Sequence, residues 1–309
     1  NISSISISPS GASTGTFEAH ELRDENKNIF LGKSVFKSVH NITSIINEKL
    51  KGQDPTQQEK IDEILLSLDK NENKSNLGAN TILAVSLSVA KAAAIYKNKP
   101  LYKSLGTGLF LPFPLMNIIN GGAHADNDLR IQEFMIRPDS SKSFAESLEK
   151  SFLVIQNLKR ILKSKKMLTN VGDEGGFALS INSNEEALNL IVDAIELSKL
   201  IPGKDVSICL DVAANELINK EGKYSIKSNT FMSVEDNIKY YKKLISDYPI
   251  KSIEDPFAEE DWESWEKITA EIGKNVQIVG DDLFVTNSKR LKKGIDSKSA
   301  NSILVKPNQ

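Results

Sequence analysis

The sequence predicts an α/β protein: a TIM-like (β/α) barrel preceded by a smaller α+β domain. Two observations carry this. From about residue 108, short apolar runs alternate with amphipathic segments, the pattern of strands joined by helical crossovers. The last four runs each finish on a charged side chain, at Asp211, Glu254, Asp281 and Lys306, at intervals of 43, 27 and 25 residues. Residues 1–105 have a different texture, a strand and a Gly/Ser/Thr loop followed by helices, so domains are drawn at 1–105 and 106–309.

The elements follow in order. Residues 1–8 alternate apolar and polar and predict a half-buried strand. Val35, Val39, Ile42, Ile46 and Leu50 step by three or four and predict one face of a helix. Asp54-Pro55 predicts the start of the next, with Ile61, Ile64, Leu65 and Leu68 inward. An Ala-rich stretch near 80–97 predicts a buried helix; Ser86, Ser88 and Lys91 interrupt it too often for a bilayer span. Strands are then expected at 113–119, 134–136, 206–210, 250–253, 276–279 and 303–305. Helices are expected near 143–166, 184–199, 233–246, 261–272 and 287–294. Trp262 and Trp265, three apart on a helix, read as packing residues. The chain opens without Met and stops just past a strand, so a segment cut at both ends is expected.

Composition narrows the chemistry. With 309 residues, 39% hydrophobic and 26% charged, the chain is globular rather than disordered. A net charge of −2 gives no electrostatic case for nucleic-acid binding. The single cysteine, Cys209, excludes an internal disulfide framework and a cysteine zinc cluster. Only His20, His40 and His124 are present, with no His-Glu-x-x-His. No signal-peptide pattern opens the chain, so a cytoplasmic location is expected.

In a barrel, the C-terminal strand ends converge on one mouth, where the chemistry sits. Asp211, Glu254 and Asp281 would meet there. Carboxylates about 4 Å apart repel by about 4 kcal/mol per pair at an effective dielectric of 20, so a cation is needed. Oxygen-only ligands favour a hard ion, Mg²⁺. Lys306 beside that ion would give up its proton more readily and could act as a base. The competing reading is that each strand-end acid merely caps the following helix; four charged strand ends in succession weaken it.

The chain is similar to the enolases, the glycolytic 2-phosphoglycerate dehydratases, over almost its full length. The matching segments include Pro9-Ser-Gly-Ala-Ser-Thr-Gly15, Asn120-Gly-Gly-Ala-His124-Ala125, Gln132-Glu-Phe-Met-Ile136, Val171-Gly-Asp-Glu-Gly-Gly176, Ser252-Ile-Glu-Asp-Pro-Phe257, Gly280-Asp-Asp-Leu283 and Val305-Lys306. A metal paired with a lysine base is the arrangement of the enolase superfamily.

The resemblance implies a Mg²⁺ site at Asp211, Glu254 and Asp281, with Lys306 as general base. It implies that Glu174 protonates the departing C3 hydroxyl, assisted by Glu133. Gln132 would order the metal site, His124 would lie in a loop closing over substrate, and Ser13 would complete a second Mg²⁺ site. It implies 2-phosphoglycerate and phosphoenolpyruvate as small-molecule partners and a homodimer or octamer. The family continues past Lys306 with two more strand–helix units, and its opening strands precede residue 1. The barrel is therefore expected to be incomplete, and activity is assigned to the longer parent. Two other readings differ: another superfamily lyase or racemase, or an inactive binding scaffold.

Overall fold

The computed structural model describes residues 2–11, 15–172, 174–227 and 230–309. It divides into two compact units, Asn1–Phe110 with Val305–Gln309, and Leu111–Leu304.

In the first unit, the strand expected over residues 1–8 is not part of any ladder among the described residues. The alternation survives with its faces reversed: Ser4, Ser6 and Ser8 are half-buried, while Ile5 and Ile7 are exposed. Polar bonds set this orientation. Ser4 Oγ donates to the Ser88 carbonyl at 2.6 Å, and Lys91 Nζ donates to that of Ile5 at 3.1 Å.

The first predicted helix runs as α1 (Phe36–His40), a π-helical segment (Asn41–Ile46) and α2 (Asn47–Leu50). The wide π turn shifts the inward stripe by one residue. Ser38 and Ile46 are buried, while Val35 and Val39 are exposed. Helix α3 (Gln58–Leu68) begins after Asp54-Pro55 rather than on it, because Asp54 Oδ1 accepts from the Thr56 N–H and Oγ1–H in a turn of its own. Ile46, Ile61, Leu65 and Leu77 form the small core, and Ile82, Val85 and Val89 of α4 (Ala79–Tyr96) pack on it. By length and composition α4 could cross a membrane. It is covered only in part: Ala79, Thr81, Ala93 and Ala94 are buried, and Ile95 and Tyr96 are exposed. Ser86 on α4 donates to Asp62 at 2.7 Å. Helix α5 (Leu101–Leu105) follows.

The second unit is a seven-stranded sheet: β1 (Met116–Asn120), β2 (Glu133–Arg137), β3 (Phe177–Ala178), β4 (Ser207–Asp211), β5 (Ile250–Glu254), β6 (Gln277–Gly280) and β7 (Ser302–Ile303). Their order is β3-β1-β2-β4-β5-β6-β7. Two features depart from the sequence reading. Strand β2 runs antiparallel to both β1 and β4, because only a loop, without a helical crossover, joins β1 to β2. Strand β3 was not expected; two residues are too short to show a period. The other neighbours pair in parallel.

Helices α6 (Phe144–Ser164), α7 (Asn184–Leu197), α8 (Val234–Asp247), α9 (Trp262–Ile272) and α10 (Ser288–Ser297) match the expected positions. Their apolar faces and the strands share one large core. A fully buried Leu or Ile in it contributes roughly 1.5–3 kcal/mol. Trp265 is a core residue as expected, and its indole N–H reaches the Phe257 and Ala258 carbonyls, each at 3.1 Å.

Each of these helices carries its own N-cap. Ser143, Ser183, Ser233, Asp261 and Asn287 accept backbone N–H groups of the first turns. The strand-end acids are therefore not needed as helix caps.

Candidate active site

Sheet register gathers the acids. Glu133 on β2 pairs with Asp211 on β4, which pairs with Glu254 on β5. Glu254 is opposite Val279 on β6, so Asp281 stands one pleat further along the neighbouring strand. The chain then bends sharply. Ala213 and Asp255 have φ of 48° and 40°, and Val285 and Thr286 follow at 41° and 51°. Non-glycine residues rarely adopt these angles, and such strain concentrates at functional sites.

Burial makes this row electrostatically costly. Asp211 is pushed up to about 7, first by burial and then by Asp281 and Asp282. Bonds from Gln132 and the Ala213 N–H pull it partly back. Burial, then Asp211, Asp255 and Asp281, hold Glu254 well above the usual carboxylate range. Buried carboxylates offering only oxygen fit a hard divalent cation, which would favour the charged forms. Gln132 Nε2 donates to Asp211 Oδ2 at 3.1 Å, and the Gln132 N–H donates to the Asp211 carbonyl at 3.0 Å.

Among the described residues, Asp255, Asp281 and Asp282 form an acidic group with ligand oxygens within 4.8 Å of one another. Asp255 is occupied: its Oδ1 accepts the Asp281 N–H at 3.0 Å and its Oδ2 the Asp282 N–H at 2.9 Å. It ties β5 to the β6 end and so fixes the backbone of Asp281. Asp255 and Asp282 fall within the segments 252–257 and 280–283 that resemble the enolases, where they were given no role. A second acid directly after Glu254, and another directly after Asp281, were the available signal.

A second cluster lies beside the first. His124, Glu133 and Glu174 place ligand atoms within 4.8 Å of one another. His124 Nδ1 is 3.4 Å from Glu133 Oε1, and the imidazole is buried in a short 3₁₀ turn, Gly122–His124. Glu174 is exposed, in a turn closed by the Gly172 N–H bonding to the Gly176 carbonyl at 2.8 Å. Beneath that turn, the Asn117 and Asn120 amides are buried with no hydrogen-bond partner for either N or O. Each such group costs about 1–3 kcal/mol.

Lys306 belongs to the first unit, where Nζ lies 3.9 Å from Glu18 Oε1. Ser13 lies outside the described residues.

Comparison with known proteins identifies the family. Residues 1–105 match the family model "Enolase, N-terminal domain", and residues 108–309 match "Enolase, C-terminal TIM barrel domain". The chain is 57% identical over 310 residues to "Enolase" of Pelagibacter ubique (strain HTCC1062), an alignment covering 100% of this chain and 74% of that protein. The chain belongs to the enolase family, the carbon–oxygen lyases called phosphopyruvate hydratases.

Proposed function

We propose that the protein catalyses the Mg²⁺-dependent, reversible dehydration of 2-phospho-D-glycerate to phosphoenolpyruvate. The observation that carries this reading is the position of Glu133. It neighbours Asp211 in the acid row and also belongs to the cluster with His124 and Glu174. A site that removes a proton beside a carboxylate and expels a hydroxyl needs cation-binding and proton-donating groups side by side.

Asp211, Glu254 and Asp281 would hold the ion, Gln132 would orient Asp211, and Ser13 would add a ligand to a second ion. Bound Mg²⁺ supplies positive charge that offsets the acids and the substrate carboxylate. Lys306 takes the proton from C2. Glu174 gives a proton to the C3 hydroxyl, which departs as water, leaving the C2–C3 double bond. Glu133, whose carboxylate lies beside Glu174, assists it. His124 closes the substrate side and excludes water.

The direct test is Mg²⁺-dependent phosphoenolpyruvate formation by the full-length protein. Lys306→Ala should abolish C2 proton exchange, at least a hundredfold, while Mg²⁺ binding persists. Normal exchange in that variant would refute the base assignment. A sugar-acid substrate turned over without phosphate would favour another superfamily lyase or racemase. A homodimer or octamer and a cytoplasmic location complete the proposal.

A further inference from the structure

The Gly172–Gly176 turn rests on two asparagines. Strand β1 carries a bulge between Asn117 and Ile119: Asn117 pairs with Met135 and Ile119 with Phe134, leaving Ile118 as the extra residue. In a regular strand, residues three apart face opposite sides. The bulge cancels that alternation and turns Asn117 and Asn120 to the same side. Their convergence is measurable at Gly176, where a methyl group would lie 2.5 Å from Asn120 Oδ1 and 2.9 Å from Asn117 Oδ1. At Gly172 it would lie 2.5 Å from the His124 carbonyl oxygen and 2.9 Å from Asn120 Cβ. Both ends of the turn therefore lie directly against Asn120.

A strand needing only filler here would carry the apolar residues found at Ile118 and Ile119. Asn120 is instead fully buried, and the N and O atoms of both amides have no hydrogen-bond partner. Buried amides left in this condition are rare in native proteins, and each calls for a functional explanation. Among the described residues, both amides lie against the turn that carries Glu174.

We propose that Asn117 and Asn120 are positioning residues for Glu174: a bulge-made amide floor that fixes the Gly172–Gly176 turn. The amides engage the turn's backbone when substrate is bound, which sets the direction from which the proton reaches the C3 hydroxyl. The inference rests on the reading of Glu174 as proton donor.

The test separates the two half-reactions in the full-length, Mg²⁺-loaded protein. Asn120→Leu keeps the side-chain volume and removes the amide. Dehydration kcat should fall at least tenfold, while C2 proton exchange and KM stay within twofold of the parent. Loss of exchange and dehydration in equal proportion, or no loss of either, overturns the proposal. If Asn120→Leu does not fold, Asn117→Leu at the half-buried position carries the test, with the same split expected at smaller amplitude. Glu174→Gln, measured in parallel, tests the underlying reading. Should it retain dehydration, Glu174 is not the donor, whatever the asparagine variants do.

Discussion

The two halves of the site are built by different means. The acid row is delivered by sheet register: Glu133, Asp211 and Glu254 stand on paired strands, and Asp281 follows the next strand end. These strands are anchored in the large core, where Phe134, Leu210, Ile253 and Ile278 are fully buried. The half proposed to donate the proton is delivered by loops. Glu174 is exposed on a turn held by the Gly172 N–H bond to the Gly176 carbonyl, the Gly175 N–H bond to the Gly172 carbonyl, and close packing on Asn120. The proposed metal ligands thus stand on the ends of core strands, and the proposed proton donor stands on a loop.

The largest expected effect breaks the rigid half. Glu254→Gln removes one carboxylate without changing the strand. Turnover should fall by roughly three orders of magnitude or more, a loss of about 4 kcal/mol in transition-state stabilisation. The rise in Tm on adding Mg²⁺ should vanish with it. Stability should move the other way: without metal, at a pH high enough to ionise Glu254, the variant should melt above the parent, because a charge disfavoured by burial and repelled by Asp211, Asp255 and Asp281 is gone. A variant that is both inactive and less stable would show that Glu254 is structural.

The same contrast explains what was legible in the sequence. Strands β4, β5 and β6 each pack apolar residues before a terminal acid, so period and spacing alone located Asp211, Glu254 and Asp281. Register follows from the pleat, and their proximity could be argued before any coordinates. The turn at Glu174 has no period. By composition it reads as a surface turn with an incidental acid, and only the resemblance to enolases assigned it a role. Asn117 and Asn120 were invisible for another reason: a bulge changes which residues share a face, and bulges leave no periodic signature. The reversed faces of residues 2–8 and the shifted stripe around Ile46 are failures of the same kind. Around Ile46 period gave the helix and a π turn chose the face; over residues 2–8 the alternation survives without a strand, and polar contacts chose the face.

The next effect is a pH dependence confined to the acid row. Asp211 has a folded value raised from 3.8 to about 7, and Glu254 is raised in the same direction. A raised carboxylate binds its proton more tightly in the folded protein than in the unfolded chain. Its contribution to stability is therefore complete below about pH 4 and lost as pH rises through about 7. The metal-free protein should lose Tm over that window. Mg²⁺ must displace these protons, so its affinity should increase roughly tenfold per pH unit below pH 7 for one proton released, and level off above it. At a free Mg²⁺ concentration of 100 Kd, the ion should restore about 2.7 kcal/mol. Calorimetry in two buffers of different ionisation enthalpy would count the protons; Mg²⁺ binding with none released at pH 6 would remove Asp211 and Glu254 from the site.

The smallest effect sharpens the comparison, because it acts on the acid row from a loop residue. Gln132 precedes β2, and its amide donates to Asp211 Oδ2, favouring the charged carboxylate. Gln132→Met keeps the length and polarisable bulk of the side chain and removes the donor. Asp211 should then hold its proton to higher pH, moving the midpoint of Mg²⁺ affinity upward. At pH 7 the affinity should weaken by about ten- to a hundredfold, the usual cost of losing a group that orients a metal ligand. Above the shifted midpoint most of that loss should disappear, since the carboxylate is ionised with or without the amide. A loss independent of pH would mean that Gln132 fixes the geometry of Asp211 rather than its charge, and titrations of the variant at pH 6 and pH 9 distinguish the two.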